Sequence, residues 1–177
     1  VVTNPDLGPS LQLRELLEVF DRHAVDFIVI GGVAGIIHGS AYPTYDFDIL
    51  YARDEKNLER MAAALRDLHV TLRNAPADLP FQIDARTLAA GCNFAFESDL
   101  GSFDILGYAD GMRAYDRMRM DAKPDTAWGF PIRVSSIDDL IRMKRAAGRA
   151  KDRLMVEELV VIAENQRRSA KGEKWPS

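Results

Sequence analysis

Asp26 to Leu50 reads DFIVIGGVAGIIHGSAYPTYDFDIL, and no other stretch restricts the fold as tightly. Its opening run, DFIVI, is short and apolar and reads as a buried strand that stops at Gly31. Val33 to His38 then reads as a short helix. Gly39 closes it, because glycine adopts at least cost the left-handed conformation that ends helices. Pro43 keeps the next segment out of a central sheet position, and a second strand resumes over Asp46–Tyr51.

The rest of the chain supplies elements to pack around that core. Leu13, Leu16, Leu17 and Phe20 share one side of a helix over Leu11–Ala24, with Ser10 at the N-cap position. Leu58, Met61, Ala62, Leu65 and Leu68 mark a second amphipathic helix, Glu55–Leu68, and Val70–Leu72 reads as a short strand after it. The runs CNFAFES and GSFDILGY are strands divided by a hairpin turn at Asp99–Gly101, and DTAWGFPIRVSS continues as strand around a turn at Gly129. Ser136 with Asp139 three residues on resembles a helix start, with Ile137, Leu140, Ile141 and Met143 as the apolar face. A last helix, Asp152–Glu164, is expected to bury Leu154, Val156, Leu159, Val160 and Ile162. The whole reads as α+β: a mixed β-sheet with flanking helices and a C-terminal helical pair over about 136–165, in a single domain spanning 1–165. The polar, aperiodic stretch 166–177 is expected to be a flexible tail.

Composition narrows the function. With 177 residues, 47% of them hydrophobic, the chain can bury one substantial core. Its net charge of -4 excludes a surface that coats nucleic acid indiscriminately, so any polyanion must meet a local patch. One cysteine excludes an intramolecular disulfide, and Cys92 is expected to be a small buried filler. Neither an apolar run of about 18 residues nor a charged-then-apolar leader is present, so a cytoplasmic protein with no membrane partner is expected.

The chemistry lies in the glycines and the acids. Strand side chains alternate, so Asp46 and Asp48 of DFD point to one face, where two carboxylates repel unless a cation bridges them. On its own this pattern also fits a solvated strand edge. Gly31 and Gly32 end a buried strand and open a helix, which aims backbone N–H groups at whatever lies in front; phosphate is the natural guest, and a tight turn without a ligand is the alternative. Neither a dinucleotide fingerprint nor a Gly-Lys-Ser/Thr loop is present. A third acid, Asp104, stands between Phe103 and Ile105 inside an apolar strand, and a buried carboxylate needs a partner. If that strand lies beside Asp46–Tyr51, three carboxylates converge as in a two-metal site. His38, on an apolar helix, fits a hydrogen-bonding helix end better than a metal ligand. Arg142, Lys144, Arg145, Arg149, Lys151 and Arg153 stand against the single acid Asp152, as a solvated helix face or as a local polyanion site.

Gly-Gly, a gap, D-x-D and a lone Asp on a later strand resemble the DNA polymerase beta superfamily of nucleotidyltransferases. The closer likeness is to the AbiEii-type toxin nucleotidyltransferases and related small bacterial proteins, through Gly31, Gly32, Ala34, His38, Gly39, Thr44, Asp46, Asp48 and Ile49. SIDDLIRMKRAAGRAKD resembles their C-terminal signature through Lys144, Arg149, Lys151 and Asp152. One departure is Tyr42, where these relatives often carry Arg. The resemblance implies a nucleotidyltransferase-like fold and Mg2+ or Mn2+ held by Asp46, Asp48 and Asp104. Asp104 would also help to deprotonate the acceptor. By the same resemblance Gly31, Gly32, Thr44, Lys144, Arg149 and Lys151 contact the NTP, with Lys144 as the phosphate clamp and Asp152 as an orienting acid. It further implies a tRNA 3' end as acceptor and a cognate antitoxin as partner. Nucleotidylation of a small molecule such as an antibiotic uses the same carboxylates, and a catalytically silent nucleotide-binding module would keep the fold alone.

Overall fold

A computed structural model describes residues 11–44, 46–76 and 81–171, apart from the side chain of Lys151. Helices α1 (Leu13–Arg22), α2 (Gly31–His38), α3 (Glu55–Asp67), α4 (Ala85–Ala90), α5 (Tyr115–Asp121), α6 (Ile137–Ala147) and α7 (Ala150–Ala170) surround one sheet. Its strands are β1 (Phe27–Ile30), β2 (Phe47–Tyr51), β3 (Thr71–Leu72), β4 (Asn93–Ser98), β5 (Gly101–Leu106), β6 (Lys123–Asp125) and β7 (Ile132–Val134). They are ordered β3-β4-β5-β2-β1-β7-β6. The sheet is mixed: β2 runs parallel to β5 and β1 to β7, while the remaining neighbours are antiparallel.

Alternation along the central strands splits the interior in two. Phe27, Val29, Phe47, Ile49, Tyr51, Phe103 and Ile105 face the larger core, where Leu16, Leu17 and Phe20 of α1 and Met61 and Leu65 of α3 cover them. Ile28, Ile30 and Leu50 face the other way, against Met118 of α5 and Met143 of α6, with Leu106 packed at the margin. Asp48 and Asp104 take the intervening places, so both belong to this second face.

Several expectations are met residue for residue. Gly39 ends α2 with φ +107° in the left-handed region, and the Ser136 side chain accepts from Asp139 N at the start of α6. The hairpin turns at Asp99–Leu100 between β4 and β5. Others are corrected. Cys92 is exposed, because it precedes β4 and only its carbonyl is used, accepting from Gly107 N and the Tyr51 hydroxyl. The buried stripe of α7 is Met155, Leu159 and Ala163, one residue every turn, which leaves Leu154 55% exposed. That helix also runs on to Ala170, five residues into the stretch read as a tail; 172–177 and Ser10 lie outside the described residues. Helices α4 and α5 had no counterpart in the sequence reading, each burying one side chain, Leu88 and Met118.

Candidate active site

The register builds the site. Ala95 of β4, Asp104 of β5, Asp48 of β2 and Ile30 of β1 are successive cross-strand partners, one row across the sheet. Partners in register project from the same face, so Asp48 and Asp104 stand side by side about 4.8 Å apart in backbone. Asp46, two residues before Asp48, enters from the same side just ahead of the strand. Asp104 keeps 29% of its side-chain surface although Phe103 and Ile105 on either side are fully buried.

The glycine pair fits against the acids. Gly31 has φ +66°, and a Cβ there would collide with the Asp48 carboxylate; a Cβ on Gly32 would collide with the Thr44 side chain. Both positions therefore require glycine for close approach, and the start of α2 is brought against Asp48. Thr44 Oγ1 donates to Asp46 O at 3.2 Å, which fixes the approach to β2. Glu158 of α7 accepts from Ser40 Oγ and, at 2.9 Å, from Ala41 N, holding the preceding loop.

Across a cleft of about 290 Å³ stand the cations. Lys144 of α6, Arg149 ahead of α7 and Asp152 in its first turn line it together with Gly31, Asp48, Asn93 and Asp104. Lys144 Nζ donates to Asp152 Oδ1 at 3.1 Å, and both side chains are largely buried, at 13% and 8% exposed. The second oxygen of Asp152 is buried with no hydrogen-bond partner among the described residues. Lys151 stands in the same turn, and its side chain lies outside the described residues. Tyr42 packs against the larger core. His38 Nε2 lies 2.8 Å from Ser135 O, a hydrogen-bonding helix end as read from sequence.

Sequence reasoning missed Arg73. It follows the two-residue β3, and its guanidinium donates to Asp104 Oδ1 at 2.6 Å and lies 3.6 Å from Asp46 Oδ1. Only the pairing of β3 with β4 could have placed it, and a strand of two residues gives no periodic signal. Burial raises the pKa of Asp104 most strongly and Asp46 adds to this; Arg73 and Arg149 oppose, and the net direction is upward. The 2.6 Å contact with Arg73 works against that shift by favouring the ionised form.

The three acids share a face, yet among the described residues no three ligating groups are gathered closely enough to enclose an ion as they stand. The Arg73 guanidinium instead contacts one oxygen each of Asp46 and Asp104. In donor chemistry the set suits a hard divalent cation, and the existing stand-in is itself a cation. A larger cleft of about 600 Å³ lies against the far end of β1, and the acids that line it among the described residues, Asp26 and Asp125, are paired with Arg119 and Lys123. Among the described residues no helix is long and apolar enough to cross a membrane.

No family model matches the sequence, and no curated protein matches it. Solved structures do. The lincosamide antibiotic adenylyltransferase LnuA, in its lincomycin-bound crystal structure, superposes with a TM-score of 0.57 over 86% of this chain and 99% of its own, at 14% identity. A candidate nucleotidyltransferase from Thermotoga maritima gives a TM-score of 0.51 over 84% and 89%, also at 14% identity. At that identity the likeness is one of architecture, and the architecture of this chain is the nucleotidyltransferase fold.

Proposed function

We propose that the chain is a metal-dependent nucleotidyltransferase that moves NMP from an NTP to a hydroxyl acceptor and releases pyrophosphate. The observation that carries this is the row holding Asp104 and Asp48, with Asp46 beside it, set against the glycine start of α2 and faced by Lys144 and Arg149. Asp46, Asp48 and Asp104 would hold Mg2+ or Mn2+, which supplies Lewis-acid stabilisation of the charge moving between phosphate oxygens. Gly31 and Gly32 present the helix start to the phosphates, and Lys144, aimed by Asp152, balances charge on the departing pyrophosphate. Asp104 takes the acceptor's proton as its oxygen attacks the α-phosphorus, a task suited by the upward shift that burial gives it.

For the acceptor we favour an RNA end of the tRNA 3' type, with a cognate antitoxin as partner. Arg145, Arg149 and Arg153 are exposed along α6 and the start of α7 and extend the positive charge beyond the cleft. Incubation with each α-labelled NTP, Mg2+ and total bacterial RNA should label RNA of tRNA size, and Asp104→Asn should remove the label. Label found only on small hydroxylated molecules would keep the transferase and replace the acceptor. Tight NTP binding with no transfer to any acceptor would leave a binding module.

A further inference from the structure

Arg73 lies between two of the three acids, and the reaction as proposed gives it no task. Its position is set by backbone: Arg73 N donates to Ala95 O at 2.8 Å, one step on from the Leu72–Phe96 pair. Arg73 therefore extends the row Ala95, Asp104, Asp48 outward by one strand. Its side chain must pass over Ala95 to reach Asp104, and the methyl group there is small enough to let it through.

A guanidinium in this place has two consequences. It offsets one of the two negative charges of Asp46 and Asp104, whose mutual repulsion nothing else this close relieves among the described residues. It also competes with any divalent cation for the same oxygens. The planar fork of arginine accepts phosphate as readily as carboxylate, so a triphosphate entering the cleft offers it an equivalent partner.

We propose, resting on the nucleotidyl-transfer reading above, that Arg73 is a built-in counter-cation: it occupies Asp46 and Asp104 until a nucleoside triphosphate draws it off. Divalent cation and nucleotide then bind cooperatively, because each helps the other to displace the guanidinium. The coupling is reciprocal.

Free Mn2+ measured by electron paramagnetic resonance tests this, in titrations with and without α,β-methylene ATP, corrected for Mn2+ held by the analogue alone. Wild-type protein should bind Mn2+ weakly by itself and about tenfold more tightly with the analogue, within the usual range of coupling between sites. Arg73→Gln should bind Mn2+ alone about tenfold more tightly than wild type and gain little from the analogue. If a melting curve shows that this variant does not fold, Ala95→Leu, which blocks the route of the guanidinium, should give the same tightening. Equal Mn2+ affinity in variant and wild type, with the analogue still effective in wild type, overturns the counter-cation and leaves the transferase standing. No Mn2+ binding by either protein under either condition overturns both.

Discussion

At Gly31 the backbone and the site make one demand. A residue there must hold φ +66° and leave space for the Asp48 carboxylate, so Gly31→Ala should cost about 1–2 kcal/mol from the backbone alone and lose nucleotide binding as well. Urea denaturation and nucleotide titration separate the two effects. Lys144 carries a similar double load, since its removal leaves Asp152 buried without a counter-charge. Lys144→Met should therefore lose roughly 3–5 kcal/mol of stability together with transfer activity. Adding Asp152→Leu should restore the stability and not the activity, an outcome that a purely structural ion pair would not produce. His38 predicts a pH dependence. Burial depresses its pKa below the ordinary 6.5 more than the Ser135 bond raises it, so the folded state favours the neutral ring. Its contribution is present above pH 6.5 and is lost as pH falls through the depressed folded value. Denaturation midpoints should fall across that window, and His38→Gln should flatten the fall.

Among the elements, α6 is pinned by a polar knot at its first turn. Asp139, 1% exposed, accepts from Arg113 Nε at 2.7 Å, from Arg142 at 2.9 Å and from Ser136 Oγ at 2.8 Å. Burial raises its pKa, the Arg113 and Ser136 bonds and the Arg142 charge lower it, and the net direction is downward. Removing the carboxylate with Asp139→Ala leaves Arg113 with Asp121 alone and loosens the start of α6, the helix whose last turn carries Lys144. A loss of roughly 1.5–3 kcal/mol in denaturation is expected, as for hydrogen bonds to a charged group, with weakened nucleotide binding as the secondary sign. At this scale the sequence was readable where periodicity ran long. The faces of α1 and α3, the start of α6 and the glycine end of α2 follow from apolar spacing and capping chemistry; α1 and α3 back the sheet, while α2 and α6 border the cleft. What stayed illegible depends on pairing between distant segments: α4 and α5 bury one side chain apiece, and β3 gains its meaning only from lying against β4. Asp104 was legible because an acid between Phe103 and Ile105 interrupts an apolar run, and Asp46 and Asp48 because two acids two residues apart on a strand share a face. Arg73 was not, because an arginine after a short strand breaks nothing.

For the molecule as a whole, a ligand that binds only the folded chain stabilises it by mass action. At a hundred times its dissociation constant, NTP with Mg2+ should add about 2.7 kcal/mol, and Asp48→Ala should abolish the metal-dependent part of the melting shift. The same shift without Mg2+ would place the nucleotide away from the acids. The two walls of the cleft are far apart in the sequence. Every acid proposed to hold metal comes before residue 105, while Lys144, Arg149 and the Glu158 that grips the Ser40 loop come from α6 and α7. Synthesis runs from the first wall to the second. A chain halted after β7 would carry the carboxylates and the glycine turn without the opposing charge, and the proposed chemistry could begin only once the last two helices had been made and docked.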